Sequence, residues 1–127
     1  MHEAAVVEGL VKLVAAKAEE LDARSVTRIS LVVGELTGYM EESLRFYLGI
    51  FAKGTRLDGA ELSVTYVKPK LRCPTCDLLF ERPRYSFDCP GCGTAGVMTK
   101  IGSEFYVESI DAELADSPTA QAASRST

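Results

Sequence analysis

Two C-x-x-C motifs constrain this chain more than any other feature. The first spans residues 73–76 and the second spans 89–92, with twelve residues between them. Each motif places two sulfur atoms within reach of one ion. Two such motifs supply four thiolates, which is the ligand set that Zn²⁺ accepts in a closed structural site. The pattern therefore predicts a zinc ribbon held by Cys73, Cys76, Cys89 and Cys92.

Local sequence around the motifs gives further expectations. Gly91 and Gly93 are expected to supply the positive φ angles of such turns. The stretches 79–81 and 85–87 are long enough to form a short hairpin with each other. A segment of about 30 residues buries too little apolar surface to fold alone, so a bound metal would supply its folding free energy.

Other roles for four cysteines fit less well. Two disulfides would need an oxidising compartment, and nothing in the sequence indicates one. A thioredoxin-type redox pair uses one C-x-x-C at the start of a helix, whereas these two lie in Gly- and Pro-rich turns. Iron in a rubredoxin-like site has the same four ligands and stays open as an alternative. Four thiolates leave no free coordination position, so a catalytic metal is not expected.

The rest of the chain is predicted to be α+β. Apolar residues recur every three or four positions in 3–22 and 40–53, which indicates two amphipathic helices. Alternating apolar residues in 26–36 and 60–67, and a β-rich run over 104–110, indicate strands. We therefore expect a small mixed sheet of about three strands with two helices, plus an inserted zinc-ribbon module.

The predicted domain boundaries follow from changes in amino-acid composition along the chain. Pro69 cannot donate to a sheet ladder, and Gly and Pro are frequent from there to about Lys100. Residues 1–68 and 101–114 are predicted to form one α/β domain, and 69–100 the ribbon. The small, polar residues 115–127 are predicted to be a disordered tail.

Charge limits the classes of partner. The net charge is -4 and the pI is about 5.0, which disfavours a general nucleic-acid binder. Residues 68–100 nevertheless carry a net +3 and the remainder -7. A nucleic-acid-binding ribbon is therefore the alternative, with these residues at the interface: Lys68, Lys70, Arg72, Arg82, Arg84, Phe80, Tyr85 and Phe87. No apolar run approaches the ~20 residues of a membrane helix, and no signal peptide is recognised. We expect a cytoplasmic protein that does not bind membranes.

The single histidine argues against catalysis. His2 has no second imidazole with which to form a relay, and all four cysteines are assigned to the metal. We therefore do not expect an enzyme. His2 does stand beside the α-amine of Met1, so the amine, the His2 amide and the imidazole could form two fused chelate rings. The Glu3 amide could close a fourth position, and four planar nitrogens suit Ni²⁺ or Cu²⁺.

The order of several motifs resembles the HypA/HybF family of hydrogenase nickel-incorporation proteins. The chain opens with Met-His-Glu, continues with Val-Gly-Glu-Leu at 33–36 and Glu-Ser-Leu-Arg-Phe at 42–46, and then has the cysteine quartet. Gly-Ser-Glu-Phe at 102–105 and Val-Glu-Ser-Ile at 107–110 follow. The resemblance covers residues 1 to about 113.

The resemblance implies a nickel metallochaperone with two metal sites. Nickel would be held by Met1, His2 and Glu3, and structural zinc by the four cysteines. The implied partners are a nickel-handling GTPase and the large subunit of nickel–iron hydrogenase. Some members also serve urease, so urease maturation proteins are further candidate partners.

This sequence departs from many family members in one respect. They carry histidines next to the zinc knuckles, whereas Arg72 and Asp77 flank the first motif here, and Asp88 and Gly93 flank the second. A histidine-mediated pH switch at the zinc site is therefore not expected. Glu41 is a carboxylate that could lie near the nickel site, although a surface position is the simpler interpretation.

Overall fold

The computed structural model describes residues 3–82, 86–114 and 120–123. Its helices are α1 (Glu3–Glu20) and α2 (Glu41–Phe51), with a short 3-10 turn at Glu35–Thr37. Its strands are β1 (Ala23–Gly34), β2 (Glu61–Val67), β3 (Lys70–Arg72), β4 (Leu79–Glu81), β5 (Val97–Met98), β6 (Phe105–Leu114) and β7 (Ala120–Ala123). The α+β prediction with two helices is confirmed.

The described residues fall into two compact units. One is drawn from the described residues of 1–32, 39–65 and 106–127, and the other from those of 33–38 and 66–105. The second unit contains the described residues of the segment 69–100 that the sequence predicts as the ribbon, and it also takes in residues on either side and the end of β1. None of the helices in the described part of the chain is long and apolar enough to cross a bilayer.

The first unit is built on a four-stranded sheet in the order β2-β1-β6-β7. Helix α1 packs against α2 and buries Val7, Leu10, Val11, Val14 and Ala18, the stripe that its sequence spacing predicts. Helix α2 buries Leu44 and Leu48. The spacing also places Met40 in the apolar stripe of α2, but this residue precedes the helix as its N-cap and is 63% exposed.

The fourth strand of this sheet differs from the sequence prediction. The composition of residues 115–127 predicts a disordered tail, yet Ala120–Ala123 form β7 and pair antiparallel with β6. Residues 115–119 and 124–127 of that predicted tail lie outside the described residues. A sheet edge offers unpaired N–H and C=O groups, so a short polar segment can join it without an apolar face of its own.

The second unit holds a three-stranded sheet in the order β4-β3-β5. The stretches 79–81 and 85–87 are long enough for a short hairpin, but Tyr85 lies outside the described residues. Among the described residues, Leu79–Glu81 pair with Lys70–Arg72, with Leu71 opposite Phe80. This pairing lets Leu71 and Phe80 form a small core with Cys73 and Cys89. The burial of these four residues stabilises the pairing of β3 with β4.

Three backbone segments approach closely in this unit. The Gly34 N–H donates to the Glu104 carbonyl at 2.7 Å, and the Leu36 N–H donates to the Gly102 carbonyl at 2.8 Å. A Cβ on Gly34 would lie 1.9 Å from the Gly102 carbonyl oxygen, and a Cβ on Gly102 would lie 2.6 Å from the Cα of Pro69. Only glycine fits at these two positions.

Candidate metal centre

The two C-x-x-C motifs adopt the same hydrogen-bonded loop. The Cys73 N–H donates to the Leu78 carbonyl at 2.9 Å, and the Cys73 carbonyl accepts from the Asp77 N–H at 2.9 Å. In the second loop the Cys89 N–H donates to the Thr94 carbonyl at 2.8 Å, and the Cys89 carbonyl accepts from the Gly93 N–H at 2.8 Å. Each loop therefore turns its two sulfur atoms toward the same point.

The four Sγ atoms converge on one small volume. All lie within 4.8 Å of one another, and the pairs Cys73–Cys92 and Cys76–Cys89 are 3.4 and 3.5 Å apart. A tetrahedron with metal–sulfur bonds of about 2.3 Å has edges of about 3.8 Å. The cluster therefore has the size and ligand type of a Cys₄ metal site. Each of the two close sulfur pairs joins a cysteine of the first loop to a cysteine of the second.

Burial and backbone donors distinguish the first cysteine of each motif from the second. Cys73 and Cys89 are buried, whereas Cys76 and Cys92 are exposed. The Cys73 sulfur accepts from the Cys76 N–H at 3.4 Å, and the Cys89 sulfur accepts from the Gly91 N–H at 3.3 Å. Such N–H donors stabilise negative charge on sulfur, so the backbone compensates part of the charge that Cys73 and Cys89 would carry as metal-binding thiolates.

The thiols also influence one another's protonation. A hydrogen bond from the Cys76 backbone lowers the pKa of Cys73 to about 6, against the opposing effect of desolvation. The Leu78 backbone lowers the pKa of Cys76, but the neighbouring Cys73 and Cys89 sulfurs outweigh it and raise that pKa to about 12. The opposite shifts of Cys73 and Cys76 show that these two neighbouring thiols titrate as a coupled pair, as expected where sulfur atoms lie close enough to bind one cation.

Some details of these loops differ from the sequence prediction or have no sequence signal. Gly93 has φ +79°, as expected, but Gly91 does not have a positive φ. The position in the first loop that matches Gly93 is Asp77, with φ +61°. The Thr94 hydroxyl lies 3.4 Å from the Cys92 sulfur, a contact that no sequence motif signals.

The second predicted metal site begins at the edge of the described chain. Met1 and His2 lie outside the described residues, so Glu3 is the first of the three with a described position. Its carboxylate accepts a hydrogen bond from the Met40 backbone N–H at 2.7 Å. Glu41, the other carboxylate considered for this site, forms an ion pair with Arg45 one helical turn later.

Comparison with known proteins gives a consistent result. A family model described as hydrogenase/urease nickel incorporation, metallochaperone, hypA, matches residues 1–112. The hydrogenase maturation factor HypA of Caldanaerobacter subterraneus subsp. tengcongensis is 43% identical over 114 residues, which are 89% of this chain and 100% of that protein. The HypA of Aquifex aeolicus is 31% identical over 114 residues, 90% of this chain and 99% of that protein.

Solved structures share the fold. The solution structure of the Ni metallochaperone HypA from Helicobacter pylori has a TM-score of 0.58 at 22% identity and covers 87% of this chain and 96% of that one. A second solution structure of a HypA protein has a TM-score of 0.66 at 23% identity and covers 87% of this chain and 94% of that one. From the family match over residues 1–112 and the identity to curated relatives, this chain belongs to the HypA family of nickel-incorporation metallochaperones for hydrogenase maturation.

Proposed function

We propose that this protein binds Ni²⁺ through its N-terminal residues and delivers it during the maturation of nickel–iron hydrogenase. The observation that carries the proposal is the family match, which begins at the first residue and so includes the Met-His-Glu start. The ligands are the Met1 amine, the His2 amide and imidazole, and the Glu3 amide. Urease maturation would be a second use of the same cargo.

The chemistry of these donors suits transfer. The amine and amide nitrogens close a five-membered chelate ring, and the amide and imidazole nitrogens close a six-membered ring. The resulting plane of nitrogen atoms suits d⁸ Ni²⁺ better than Zn²⁺. Because the amides must lose protons and the terminus must become ordered, binding is weak and falls as the pH drops. A weakly held ion can be passed on.

The hydrogen bond between Glu3 and Met40 supports this site. It fixes the residue that supplies the last amide ligand to the segment just before α2. The side chain of Glu3 is thereby engaged with the protein, while its backbone amide belongs to the first turn of α1, where helix N–H groups have no partner within the helix. That amide is accordingly available as a ligand.

The four-cysteine site is assigned structural Zn²⁺. Residues Cys73, Cys76, Cys89 and Cys92 would hold it, and the ion would supply the folding free energy of the loops around it. With four protein ligands this site has no position for a water or a substrate, and the nickel at the other site is cargo, so we assign no enzymatic activity to the protein.

The proposed partners are those that a nickel carrier needs. A nickel-handling GTPase and the hydrogenase large subunit receive or exchange the ion, and urease maturation proteins do so where urease is the client. We place these encounters in the cytoplasm. The alternative of a nucleic-acid-binding ribbon is weakened by two contacts: Arg72 pairs with Asp77, and Arg82 lies 4.3 Å from the centre of the Phe87 ring.

The experiment that tests this proposal compares untagged protein with a version extended by Gly-Ser before Met1. The extension converts the Met1 amine into an amide and leaves every side chain intact. Nickel binding, followed by isothermal titration, should be abolished by the extension and by His2→Ala, with zinc content unchanged in both. Nickel binding by the extended protein at the native affinity would show that the amine is not a ligand and would overturn the site.

A further inference from the structure

The outer edge of β6 carries a strand supplied by the C-terminal tail. β7 pairs antiparallel with it, so that Ser109 lies opposite Ala123 and Ala112 lies opposite Ala120. β6 therefore has β1 on one side and β7 on the other. The family match ends at residue 112, so β7 lies beyond the part of the chain that the family model covers. The edge is thus filled here by a segment outside the family match.

The sequence of β7 shows what kind of contact holds it. The strand reads Ala-Gln-Ala-Ala, and alanine is depleted in strands because it offers little side-chain packing. Pairing must therefore depend on main-chain hydrogen bonds, which any extended segment can make. In strand addition the main chain gives affinity and the side chains opposite the edge give selectivity.

The side chains of β6 supply that selectivity. Asp111 and Glu113 share one face of the strand, opposite to the face of the buried residues Ile110 and Ala112. In the described part of the chain, neither carboxylate has an ion-pair partner. Gln121 of β7 lies directly opposite Asp111. Opposite charges across a strand pair stabilise it and like charges destabilise it, so this edge favours a basic residue at the place of Gln121.

The same charges disfavour a second copy of this chain on the edge. Glu108, Asp111 and Glu113 all lie within the ten residues of β6. Two β6 strands paired antiparallel would bring these carboxylates close to their equivalents in most registers. The residues of β7 carry no charge and so avoid this repulsion, whereas a basic strand would be attracted to the carboxylates of β6.

We propose that the outer edge of β6 is a docking site for an extended, basic segment of a partner protein, which binds by strand addition in place of β7. The tail is then an intramolecular competitor that keeps the edge covered until such a segment arrives. Docking at this edge does not require nickel, since it depends only on the register of β7 and the charges of β6.

The test uses the full chain with Gln121→Pro and Ala122→Pro together. Alternate residues of an antiparallel strand donate to their neighbour, so replacing two adjacent residues removes the donor in either register and releases β7. Ser126→Pro, outside β7, is the matched control. The probes are two synthetic peptides of residues 119–125, one with Gln121→Lys and one with Gln121→Glu, titrated while the β6 amides are followed by NMR.

We expect the double-proline protein to bind the lysine peptide about fivefold more tightly than the glutamate peptide. The native and Ser126→Pro proteins should bind the lysine peptide several-fold more weakly, because β7 competes in cis. Equal affinity for the two peptides would overturn the charge selection. No binding by a double-proline protein with native zinc content and melting temperature would overturn the docking site. Dimerisation of that protein in sedimentation would assign the edge to a second copy instead.

Discussion

Asp77 and Gly93 occupy the same position in the two cysteine loops, one residue after the second cysteine of each motif. Both have left-handed backbone conformations, with φ of +61° and +79°, and each donates its N–H to the carbonyl of the first cysteine. The two loops are thus related in geometry although their residues differ. For a residue other than glycine this conformation costs about 1–2 kcal/mol, and Asp is among those that tolerate it best.

Replacing Gly93 with alanine should weaken zinc binding. The added Cβ meets no atom within 4 Å, so the cost is the left-handed conformation alone, about 1 kcal/mol. Because loop folding and metal binding are coupled, that cost should appear as an apparent zinc affinity about fivefold lower. Competition with a chromogenic chelator measures it.

Gly91→Ala is the matched control for this prediction. Gly91 lies in the same loop without a positive φ, and a Cβ there would meet the Cys89 sulfur at 3.7 Å, an ordinary contact. Its zinc affinity should stay within about twofold of native. If both variants lose zinc equally, then general crowding of the loop, rather than its handedness, sets the affinity.

Removal of two ligands should separate the two units. Cys73→Ser with Cys76→Ser leaves two thiolates, too few for a closed site, so zinc is lost and the three-stranded sheet loses the buried Cys73 that packs against Leu71. The first unit has its own core around α1, α2 and β1, and its helical circular dichroism should largely persist. Complete loss of helix signal together with zinc would mean that the two units unfold as one cooperative body.

A close backbone approach gives a third prediction. Gly34→Ala should destabilise the protein by about 3 kcal/mol, because a Cβ 1.9 Å from the Gly102 carbonyl oxygen can be accommodated only by moving backbone. Gly9→Ala is the opposite case, since Gly9 lies in α1 with nothing within 4 Å of the added Cβ. That variant should gain roughly 0.5–1 kcal/mol from helix propensity. Denaturant unfolding of the zinc-loaded proteins measures both, and a neutral Gly34→Ala would contradict the close approach of these two segments.

Local patterns in the sequence were sufficient to predict the two helices and the clustering of the four cysteines. The buried stripe of α1 follows from spacing within one helix, and the two motifs are themselves short-range signals. The pairing of strands that lie far apart in the sequence was harder to predict. The partner of Phe80 is Leu71, on the other side of the first cysteine loop, and nothing in the residues between the motifs indicates that choice.

Two further features could not be predicted, for physical reasons. The β7 segment has no alternation of apolar and polar residues. A strand at the edge of a sheet can be held by backbone hydrogen bonds alone, so such an alternation is not needed. The left-handed Asp77 has no signal because composition marks glycine as the residue for such turns, whereas an aspartate in this conformation is revealed only by its backbone. The contact of Glu3 with Met40 joins residues 37 positions apart and likewise has no local signature.

That contact leads to the last prediction. Glu3 contributes its backbone amide to the proposed nickel site, while its carboxylate accepts the Met40 N–H at 2.7 Å. Glu3→Ala keeps the amide ligand but removes the anchor, so the terminus must be ordered at greater entropic cost. Since an exposed hydrogen bond is worth about 1 kcal/mol, nickel affinity should fall about fivefold by isothermal titration. Zinc content should not change, because the cysteine site does not involve Glu3.

Glu3→Gln separates the anchor from the charge. The amide oxygen of glutamine can still accept the Met40 N–H, so this variant should bind nickel within about twofold of native if positioning is the role of Glu3. A loss in Glu3→Gln as large as in Glu3→Ala would indicate that the carboxylate charge itself acts on nickel. The spin state then decides how: four planar nitrogens give a diamagnetic complex, whereas a carboxylate or water ligand in a six-coordinate site gives a paramagnetic one. Native affinity in both variants would show that the contact does not position the site.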